Sequence, residues 1–409
     1  MAFDLKEIVA ARLGENYQLH EHYLNRTLVA VQRVIGFDKV YARAEGAYLY
    51  DMDDTPYLDF LSGFSVFNIG RNHPVVKKAI RDVLDLDLPN MVQMDCSLLS
   101  GLLAEAIVKR TPPHLDAVFF CNSGTEATEG ALKFARAATQ RKRVISLESA
   151  FHGLSLGSLS LMGCESFTEG FGPLMEGFET RVALDDIESL ERELAKRDVA
   201  AFVIEPVQGK GGKSPKTDFF PRAQELCRKH GTMFICDEIQ TGLGRTGKMF
   251  GFEHWDLEPD IITLAKSLSG GYAPCGAIVT RREIYQKTFS RMDRCVVHST
   301  TFGRNDCCGK STPTTSSRSF AISSTGRGPR PRPPIGKPRR PLRRPRTCWT
   351  RCLPARRDSK TCCPRCRAAP TGTRSCKKSP PPTSSPRKTR VRRKPPRNST
   401  RCGACCCAR

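Results

Sequence analysis

Residues 117–280 alternate between short apolar segments and longer amphipathic ones, and this alternation limits what the chain can fold into. Apolar segments of five or six residues without alternation are typical of strands that are covered on both faces. Helices between such strands return the chain across the sheet, so neighbouring strands run parallel. The sequence therefore predicts an α/β fold with a mostly parallel sheet. The predicted strands are 117–121, 143–147, 200–205, 233–237, 261–265 and 277–280, and the predicted helices are 125–139, 186–196 and 219–230.

The preceding residues have a different pattern. Helical spacing of apolar residues runs through 5–35, and short strands are predicted at 40–51 and 57–60 around a turn. Two more helices are predicted at 74–86 and 98–109. We divide the chain into an N-terminal segment (1–60), a large domain (61–306) and a tail (307–409).

Two apolar segments end in ionisable residues, Asp237 and Lys266, which lie 29 positions apart. Ligands of parallel sheets bind outside the carboxyl ends of the strands. A desolvated lysine is a nucleophile, and a desolvated carboxylate needs a cationic partner. Pyridoxal phosphate requires both, because an amine joins its aldehyde as a Schiff base and an acid keeps its ring nitrogen protonated. The simpler alternative is that strand-end residues face water, and Glu238 is a candidate for that role.

Other polar residues are predicted at the same edge. Ser123, Gly124 and Thr125 join a strand to a helix, where free N–H groups bind an anion such as a phosphate. Simple capping of the helix explains them equally well. Phe151 follows the next strand and is suited to stacking on a planar ring, and the alternative is that Phe151 belongs to the core and His152 to a loop. Gln240 is placed to hydrogen-bond a ring oxygen.

The charge divides the chain abruptly near residue 306. Residues 1–306 hold 36 Lys+Arg and 41 Asp+Glu, a net charge of −5, whereas 307–409 hold 29 Lys+Arg and one acid, a net charge of +28. The tail also holds 12 of the 19 cysteines and 17 of the 28 prolines. Its few large apolar residues cannot bury enough surface to offset the entropy of ordering, so we expect a disordered tail.

Three interpretations of the tail compete. The favoured one is an out-of-frame reading of a GC-rich gene, because Arg, Pro, Ser, Thr, Cys and Ala dominate and the change is sudden. The second is a basic arm that binds nucleic acid through phosphates, although such a charge binds nonspecifically in any case. The third is a metal-binding tail, which the cysteine pairs disfavour because their spacing does not match a zinc module. We therefore expect no metal.

The first 306 residues are typical of a cytoplasmic protein. Their sequence has no charged-then-apolar amino-terminal signal and no apolar run of membrane-spanning length. Their seven cysteines show no paired spacing, which is typical of reduced thiols. We expect no membrane partner.

Five motifs in register resemble one family, the class III pyridoxal-phosphate aminotransferases, which include ornithine, 4-aminobutyrate and putrescine aminotransferases. The resemblance covers about residues 25–306 and is specific because all five occur in order. The motifs are Asn122-Ser-Gly-Thr-Glu-Ala, Phe151-His-Gly, Glu205-Pro-Val-Gln-Gly, Cys236-Asp-Glu-Ile-Gln-Thr-Gly-Leu-Gly-Arg-Thr-Gly and Ala265-Lys-Ser-Leu-Ser-Gly-Gly.

The resemblance implies a fold-type I architecture and a role for each matching residue. Lys266 corresponds to the Schiff-base lysine that shuttles a proton, and Asp237 to the partner of the ring nitrogen. Cofactor contacts are implied for Ser123, Gly124, Thr125, Phe151, His152, Gln240 and Thr301, and contact with the substrate amine for Glu205. Thr301 is implied to reach the phosphate of a second subunit, so the resemblance also implies a homodimer with shared sites.

Two departures from the family affect the expected function. Leu154 stands where ornithine-type members carry arginine, which favours ω-amino acids or diamines as amino donors, with a keto acid as acceptor. Residues 307–409 do not resemble the family's small carboxyl-terminal domain, which often supplies a carboxylate-binding arginine. Transamination is the expected activity. Two alternatives remain open: an enzyme impaired by a frameshift, and an aminomutase of the same fold.

Overall fold

The computed structural model describes residues 4–92, 94–175 and 177–306. These residues all belong to one compact unit. Residues 307–409, which the three interpretations of the basic tail concern, lie outside the described residues.

Ten strands form two sheets in the part of the chain that the structure describes. The strands are β1 Tyr41–Glu45, β2 Tyr48–Asp51, β3 Pro56–Leu58, β4 Ala117–Cys121, β5 Arg143–Leu147, β6 Glu179–Val182, β7 Val199–Ile204, β8 Met233–Asp237, β9 Ile261–Leu264 and β10 Gly276–Thr280. The helices are α1 Leu5–Arg12, α2 Asn16–Tyr23, α3 Arg26–Ile35, α4 Ser62–Ser65, α5 Pro74–Asp85, α6 Leu98–Val108, α7 Gly124–Thr139, α8 Leu156–Leu159, α9 Ile187–Leu194, α10 Phe219–His230 and α11 Arg282–Thr288. Short 3-10 helices are Glu165–Phe167, Gly251–Trp255, Lys266–Ser269 and Met292–Arg294.

The large sheet has seven strands in the order β4-β10-β9-β8-β7-β5-β6. Strands β6, β5, β7, β8 and β9 pair in parallel, and β10 runs antiparallel to both of its neighbours. The expectation of a mostly parallel sheet in an α/β fold is therefore confirmed. Because β10 alone is reversed, β4 still runs in the common direction, and its carboxyl end lies at the same edge as those of β5, β7, β8 and β9.

The centre of the sheet is buried on both faces, as its apolar sequence predicts. All six residues of β7 are buried, as are all four residues of β9. On one side lies α7, which buries a face that includes Ala127, Ala131 and Phe134. Phe134 is completely buried, and truncating such a side chain to alanine typically costs about 3–5 kcal/mol. Packing of this kind keeps the strand ends in fixed positions.

The N-terminal part of the chain forms α1, α2 and α3 and then the small antiparallel sheet β1-β2-β3. Many of its apolar side chains are exposed, including Leu24, Val34 and Phe60. A contact that matters for the site follows this sheet. Asn68 donates hydrogen bonds to Leu243 O (3.1 Å), in the loop after β8, and to Ser267 Oγ (3.1 Å), in the turn after β9.

None of the helices among the described residues is both long and apolar enough to span a membrane.

Candidate active site

A cavity of about 600 Å³ opens at the carboxyl edge of the large sheet. Parallel strands place their ligand sites at this edge. Residues from four strand ends and from the turn after β9 meet there, although they are distant in sequence. The lining residues are Val66, Asn122, Ser123, Gly124, Thr125, Phe151, His152, Gly153, Leu154, Glu205, Val207, Asp237, Ile239, Gln240, Ala265, Lys266, Ser269, Gly271, Tyr272, Ala273, Pro274 and Cys275.

Asp237 is the last residue of β8, and its carboxylate is buried at the floor of this cavity. Its Oδ1 accepts hydrogen bonds from the Ile239 backbone N–H (3.1 Å) and from the Thr263 hydroxyl (3.0 Å). Its Oδ2 lies 2.8 Å from His152 Nδ1. These contacts hold the carboxylate in one orientation.

His152 is buried beside Asp237 and is not a loop histidine facing solvent. Burial opposes protonation, but the hydrogen bond to Asp237 and the charges of Asp237 and Glu205 outweigh it, so the pKa of His152 is raised. Its Nε2 is buried without a hydrogen-bond partner among the described residues. A buried, unpaired ring nitrogen in a cavity wall is suited to a polar group of a bound molecule.

Lys266 follows β9 and opens a 3-10 turn with a backbone φ of +44°, in the left-handed region that residues with side chains rarely adopt. This backbone turn places the side chain in the cavity, where Nζ donates a hydrogen bond to Gln240 Oε1 at 2.7 Å. Burial lowers the pKa of Lys266, while the carboxylates of Asp237 and Glu205 act in the opposite direction. The shift increases the fraction of neutral, nucleophilic amine.

Glu205 follows β7 and is also buried at the cavity. It accepts hydrogen bonds from the backbone N–H groups of Phe151 (2.9 Å) and Gly209 (2.8 Å). Burial raises the pKa of its carboxyl, and the net effect of neighbouring charges and hydrogen bonds does not reverse this. Glu205 therefore orders two loops of the cavity wall.

The opposite end of the cavity is the start of α7. Ser123 caps this helix, and its Oγ accepts the Glu126 N–H at 3.3 Å. The first N–H groups of a helix have no partners within it, which makes the site attractive to an anion. Gly276 allows the close approach of β10 here, because a Cβ at that position would lie 2.5 Å from Ser123 O.

Phe151 lines the cavity and packs edge-on against Phe167, with ring centroids 5.5 Å apart. Thr301 is exposed and lines a separate cleft among residues 88–99 and 300–306, so the structure does not bring it to the Lys266 cavity. The other predicted site residues all line that cavity, although this does not test their individual roles.

Several lining residues were not singled out from the sequence, among them Asn122, Val207, Ile239 and Tyr272. Asn122 lies within the motif that contains Ser123, and its Oδ1 is buried without a partner among the described residues. Val207 and Ile239 each lie two residues after a predicted strand-end acid, a position that could have identified them. Tyr272 has no comparable signal in the sequence.

Glu238 is not exposed, in contrast to the simpler interpretation of strand-end acids. Its side chain turns away from the cavity and accepts hydrogen bonds from the Thr241 hydroxyl (2.7 Å) and from the backbone N–H groups of Gly251 (2.9 Å) and Phe252 (2.7 Å). Burial is the largest cause that raises its pKa to about 7. Glu238 therefore supports the loop that follows β8.

This donor set fits pyridoxal phosphate. The cavity contains an amine of lowered pKa, a buried carboxylate and a helix start suited to an anion. Two buried polar atoms in its wall, His152 Nε2 and Asn122 Oδ1, have no hydrogen-bond partner within the described part of the chain. No group of three or more His, Cys, Asp or Glu residues suited to a metal ion occurs in 4–92, 94–175 and 177–306.

The chain belongs to the class III aminotransferases, because residues 30–308 match the model of that family. Members of this family depend on pyridoxal phosphate. The chain is similar to the aminotransferase PigE of Serratia sp. (strain ATCC 39006), with 37% identity over 286 residues. That match covers 69% of this chain but only 33% of PigE, so the chain spans about a third of this curated relative.

The chain is also similar to solved structures of transaminases. The ornithine aminotransferase of Toxoplasma gondii ME49 matches with 29% identity and a TM-score of 0.64, covering 70% of each chain. An (S)-enantioselective ω-transaminase from Thermomicrobium roseum matches with 27% identity and a TM-score of 0.66, covering 76% of this chain and 74% of the other. These neighbours support the fold-type I architecture expected from the motifs.

Proposed function

We propose that this protein catalyses transamination, in which an amino group passes from a small amine donor to a keto acid acceptor. One observation carries the proposal: Lys266 and the buried Asp237 line one cavity that also contains the start of α7. Amine, acid and anion site are the groups that pyridoxal phosphate requires. Membership of the aminotransferase family supports the same activity.

Five residues of the cavity have a definite task in this proposal. The bound cofactor supplies an aldehyde that takes the amino group and a ring that withdraws electrons. Asp237 holds a proton at the ring nitrogen, and His152 holds Asp237 in place. Lys266 binds the aldehyde and moves a proton at the substrate carbon, for which its lowered pKa suits it. Gln240, which accepts a hydrogen bond from Lys266 Nζ, would contact the ring oxygen, and Phe151 would cover the ring.

We further propose an ω-amino acid or a diamine as donor. Leu154 lines the cavity. Among the described residues that line it, Lys266 is the single lysine, and there is no arginine. An α-amino acid places a carboxylate next to the reacting amine and needs an arginine or a second lysine there, which this lining does not provide. An ω-amino acid carries its carboxylate farther from that amine, and a diamine carries none. Glu205, a buried acid near Lys266, is proposed to lie near the substrate amine.

The same lining favours a second candidate, an enzyme impaired in turnover. A keto acid also carries a carboxylate, and the described cavity offers it no arginine. Such a chain binds the cofactor but turns over slowly. An aminomutase differs again, because it needs no keto acid.

We also propose a cytoplasmic homodimer. Thr301 is exposed and lies away from the Lys266 cavity, which supports a contact with the site of a second copy. Exposed apolar side chains such as Val34 and Phe60 support a partner surface. Cys227 and Cys236 are buried free thiols, and the spacing of the cysteines shows no pairs, which supports a reducing compartment.

Borohydride labelling tests the proposed role of Lys266. Purified full-length protein incubated with pyridoxal phosphate should gain an absorbance band near the boundary between the ultraviolet and the visible. Reduction with borohydride should then leave the cofactor attached to the peptide that carries Lys266. Lys266→Ala should lose this label, and the exposed Lys109→Ala should keep it as the matched control. Label on any other peptide contradicts the proposal. Adding a keto acid then separates the candidates. A transaminase turns over only with the keto acid, an aminomutase turns over without it, and an impaired chain turns over slowly under both conditions.

A further inference from the structure

An amine and a thiol meet at the protein surface, outside the groups that the proposed reaction uses. Lys210 Nζ donates to Cys164 Sγ at 2.8 Å, and the Ser166 hydroxyl lies 3.0 Å from the same sulfur. Lys210 Nζ also lies 4.7 Å from the centroid of the Phe167 ring, where an ammonium is attracted to the aromatic face. These contacts keep the two reactive groups side by side.

The backbone on each side of this pair is anchored. The Gly163 N–H donates to Ala150 O at 3.2 Å, which fastens the turn that carries the thiol to the chain just after β5. The Gly209 N–H donates to Glu205 Oε1 at 2.8 Å, which fastens the loop that carries the amine to the end of β7. The amine and the thiol therefore belong to fixed backbone positions.

Among the cysteines that the structure describes, Cys164 has the surroundings of a reactive thiol. It is partly exposed, and its hydrogen bond from Lys210 is the largest cause that lowers the thiol pKa to about 7. The thiolate is the form that attacks an oxidant, and a neighbouring cation favours it. Cys227 and Cys236 are the opposite case, because burial raises the pKa of each thiol well above its ordinary value. An oxidant that arrives from solvent should therefore react with Cys164 before these two.

We propose that Cys164 and Lys210 form a peroxide-sensitive site that closes into a covalent sulfur–nitrogen bond. The Cys164 thiolate attacks one oxygen of hydrogen peroxide, so that the O–O bond breaks, sulfur is oxidised to a sulfenic acid and the other oxygen leaves as hydroxide. That hydroxide takes a proton from the Lys210 ammonium. The neutral amine then attacks the sulfur, an S–N bond forms, and the S–O bond breaks with loss of water.

Atoms and charges balance in this sequence. One thiolate, one ammonium and one hydrogen peroxide give one sulfenamide and two waters, so the protein loses two hydrogen atoms relative to the thiol and the amine. Peroxide is the sole oxidant required, and an added thiol reverses the bond by attacking sulfur and releasing the amine. The bond joins two loops that support the cavity wall, because Phe167 packs against Phe151 on one side and Gly209 binds Glu205 on the other.

Peptide mass spectrometry of the full-length protein tests the bond. Trypsin leaves Cys164 in peptide 144–181, because no lysine or arginine lies within residues 144–180, and Lys210 lies in a different peptide. After treatment with hydrogen peroxide the two peptides should appear as one cross-linked species, with cleavage blocked at Lys210. Its mass should be lower than that of the unlinked pair by two hydrogens. Dithiothreitol should separate the peptides again.

Variants separate the two roles of Lys210, as a cation and as an amine. Lys210→Met should abolish the cross-link and slow the oxidation of Cys164 at pH 7 several-fold, because the loss of ionised thiol outweighs the gain in nucleophilicity at a higher pKa. Lys210→Arg should keep most of the oxidation rate but form no cross-link, because a guanidinium stays charged and does not attack sulfur. Lys213→Met removes an exposed lysine from the same loop and should behave as the wild type.

The inference is wrong if wild-type Cys164 ends as a sulfinic acid or as a disulfide with another cysteine. It is also wrong if Lys210→Met oxidises Cys164 as fast as the wild type does, or if a cross-link persists in that variant. The measurement needs neither cofactor nor turnover, so a failure of the proposed function leaves its outcome unaffected.

Discussion

Glu238 should make the stability of this fold depend on pH, and replacing it by glutamine should remove that dependence. The side chain is 1% exposed, and its pKa is raised to about 7 from an ordinary value of 4.5. A folded state that binds a proton more tightly than the unfolded state is stabilised at low pH. This contribution is fully present below pH 4.5 and is lost as the pH rises through 7.

The magnitude follows from the shift. One pKa unit corresponds to 1.36 kcal/mol, so a carboxyl whose pKa rises from 4.5 to about 7 changes the free energy of unfolding by about 3 kcal/mol. Below pH 7 the carboxyl of the folded protein is protonated, and it then donates to Thr241 Oγ1 while still accepting the N–H groups of Gly251 and Phe252. A glutamine amide nitrogen cannot accept, so Glu238→Gln loses one of these bonds at every pH.

The assay is urea unfolding of the wild type and Glu238→Gln between pH 5 and pH 8. Groups common to both proteins cancel in the difference between their free energies of unfolding. The advantage of the wild type should be largest at pH 5 and should shrink by about 2–3 kcal/mol by pH 8. Glu225→Gln, an exposed change on α10, serves as the control and should show no such trend. A difference between wild type and Glu238→Gln that stays constant over this range refutes the reasoning.

Three further predictions test other contacts of the described residues. Lys210 Nζ donates to Cys164 Sγ at 2.8 Å and is the main cause that lowers the thiol pKa to about 7, so alkylation of Cys164, followed by peptide mass spectrometry, should be half-maximal near that pH. Lys210→Met should move the midpoint upward, and an unchanged midpoint contradicts the assignment. Asn68→Ala should cost about 1–3 kcal/mol in urea unfolding, because it leaves the Ser267 hydroxyl without its donor, and a change near zero would exclude that contact. Gly163→Ala should cost about 1–3 kcal/mol and lower the Tm, because its Cβ would meet backbone at 2.2 Å, and an unchanged Tm would show that this backbone yields freely.

Local pattern predicted most of the large sheet, because burial on both faces leaves a recognisable run of apolar residues. The bounds of β4, β5 and β8 agree with the prediction, and those of β7, β9 and β10 differ by a residue or so. The strand β6, Glu179–Val182, was missed. It lies at the sheet edge with one of its four residues buried, so its sequence carries little of the apolar signal.

The direction of β10 could not be predicted from its sequence. An apolar run such as Gly276–Thr280 has the same composition whichever way it pairs, and only the connection from β9 reverses it. Long-range pairing within the site was equally hidden. His152 and Asp237 are 85 residues apart, and Asn68 and Ser267 are 199 apart, so no local spacing indicates their contact.

Strand-end position, by contrast, was enough to predict that Asp237 and Lys266 lie at the same cavity. A parallel sheet gathers the carboxyl ends of its strands at one edge, so residues placed there by local pattern meet in space. What this rule does not supply is orientation. Glu238 is adjacent to Asp237 but turns to the opposite side, and that depends on the N–H groups of Gly251 and Phe252.

The reversed strand also sets an order of assembly during synthesis. In the sheet, β4 pairs with β10 and with no other strand among the described residues. A nascent chain that has passed Lys266 but not residue 276 therefore holds the lysine and the acid, yet β4, which leads into the anion-binding loop, has no strand to pair with. The sheet beneath the pocket is complete only after residues 276–280 have left the ribosome, so a shorter amino-terminal fragment should bind the cofactor less well.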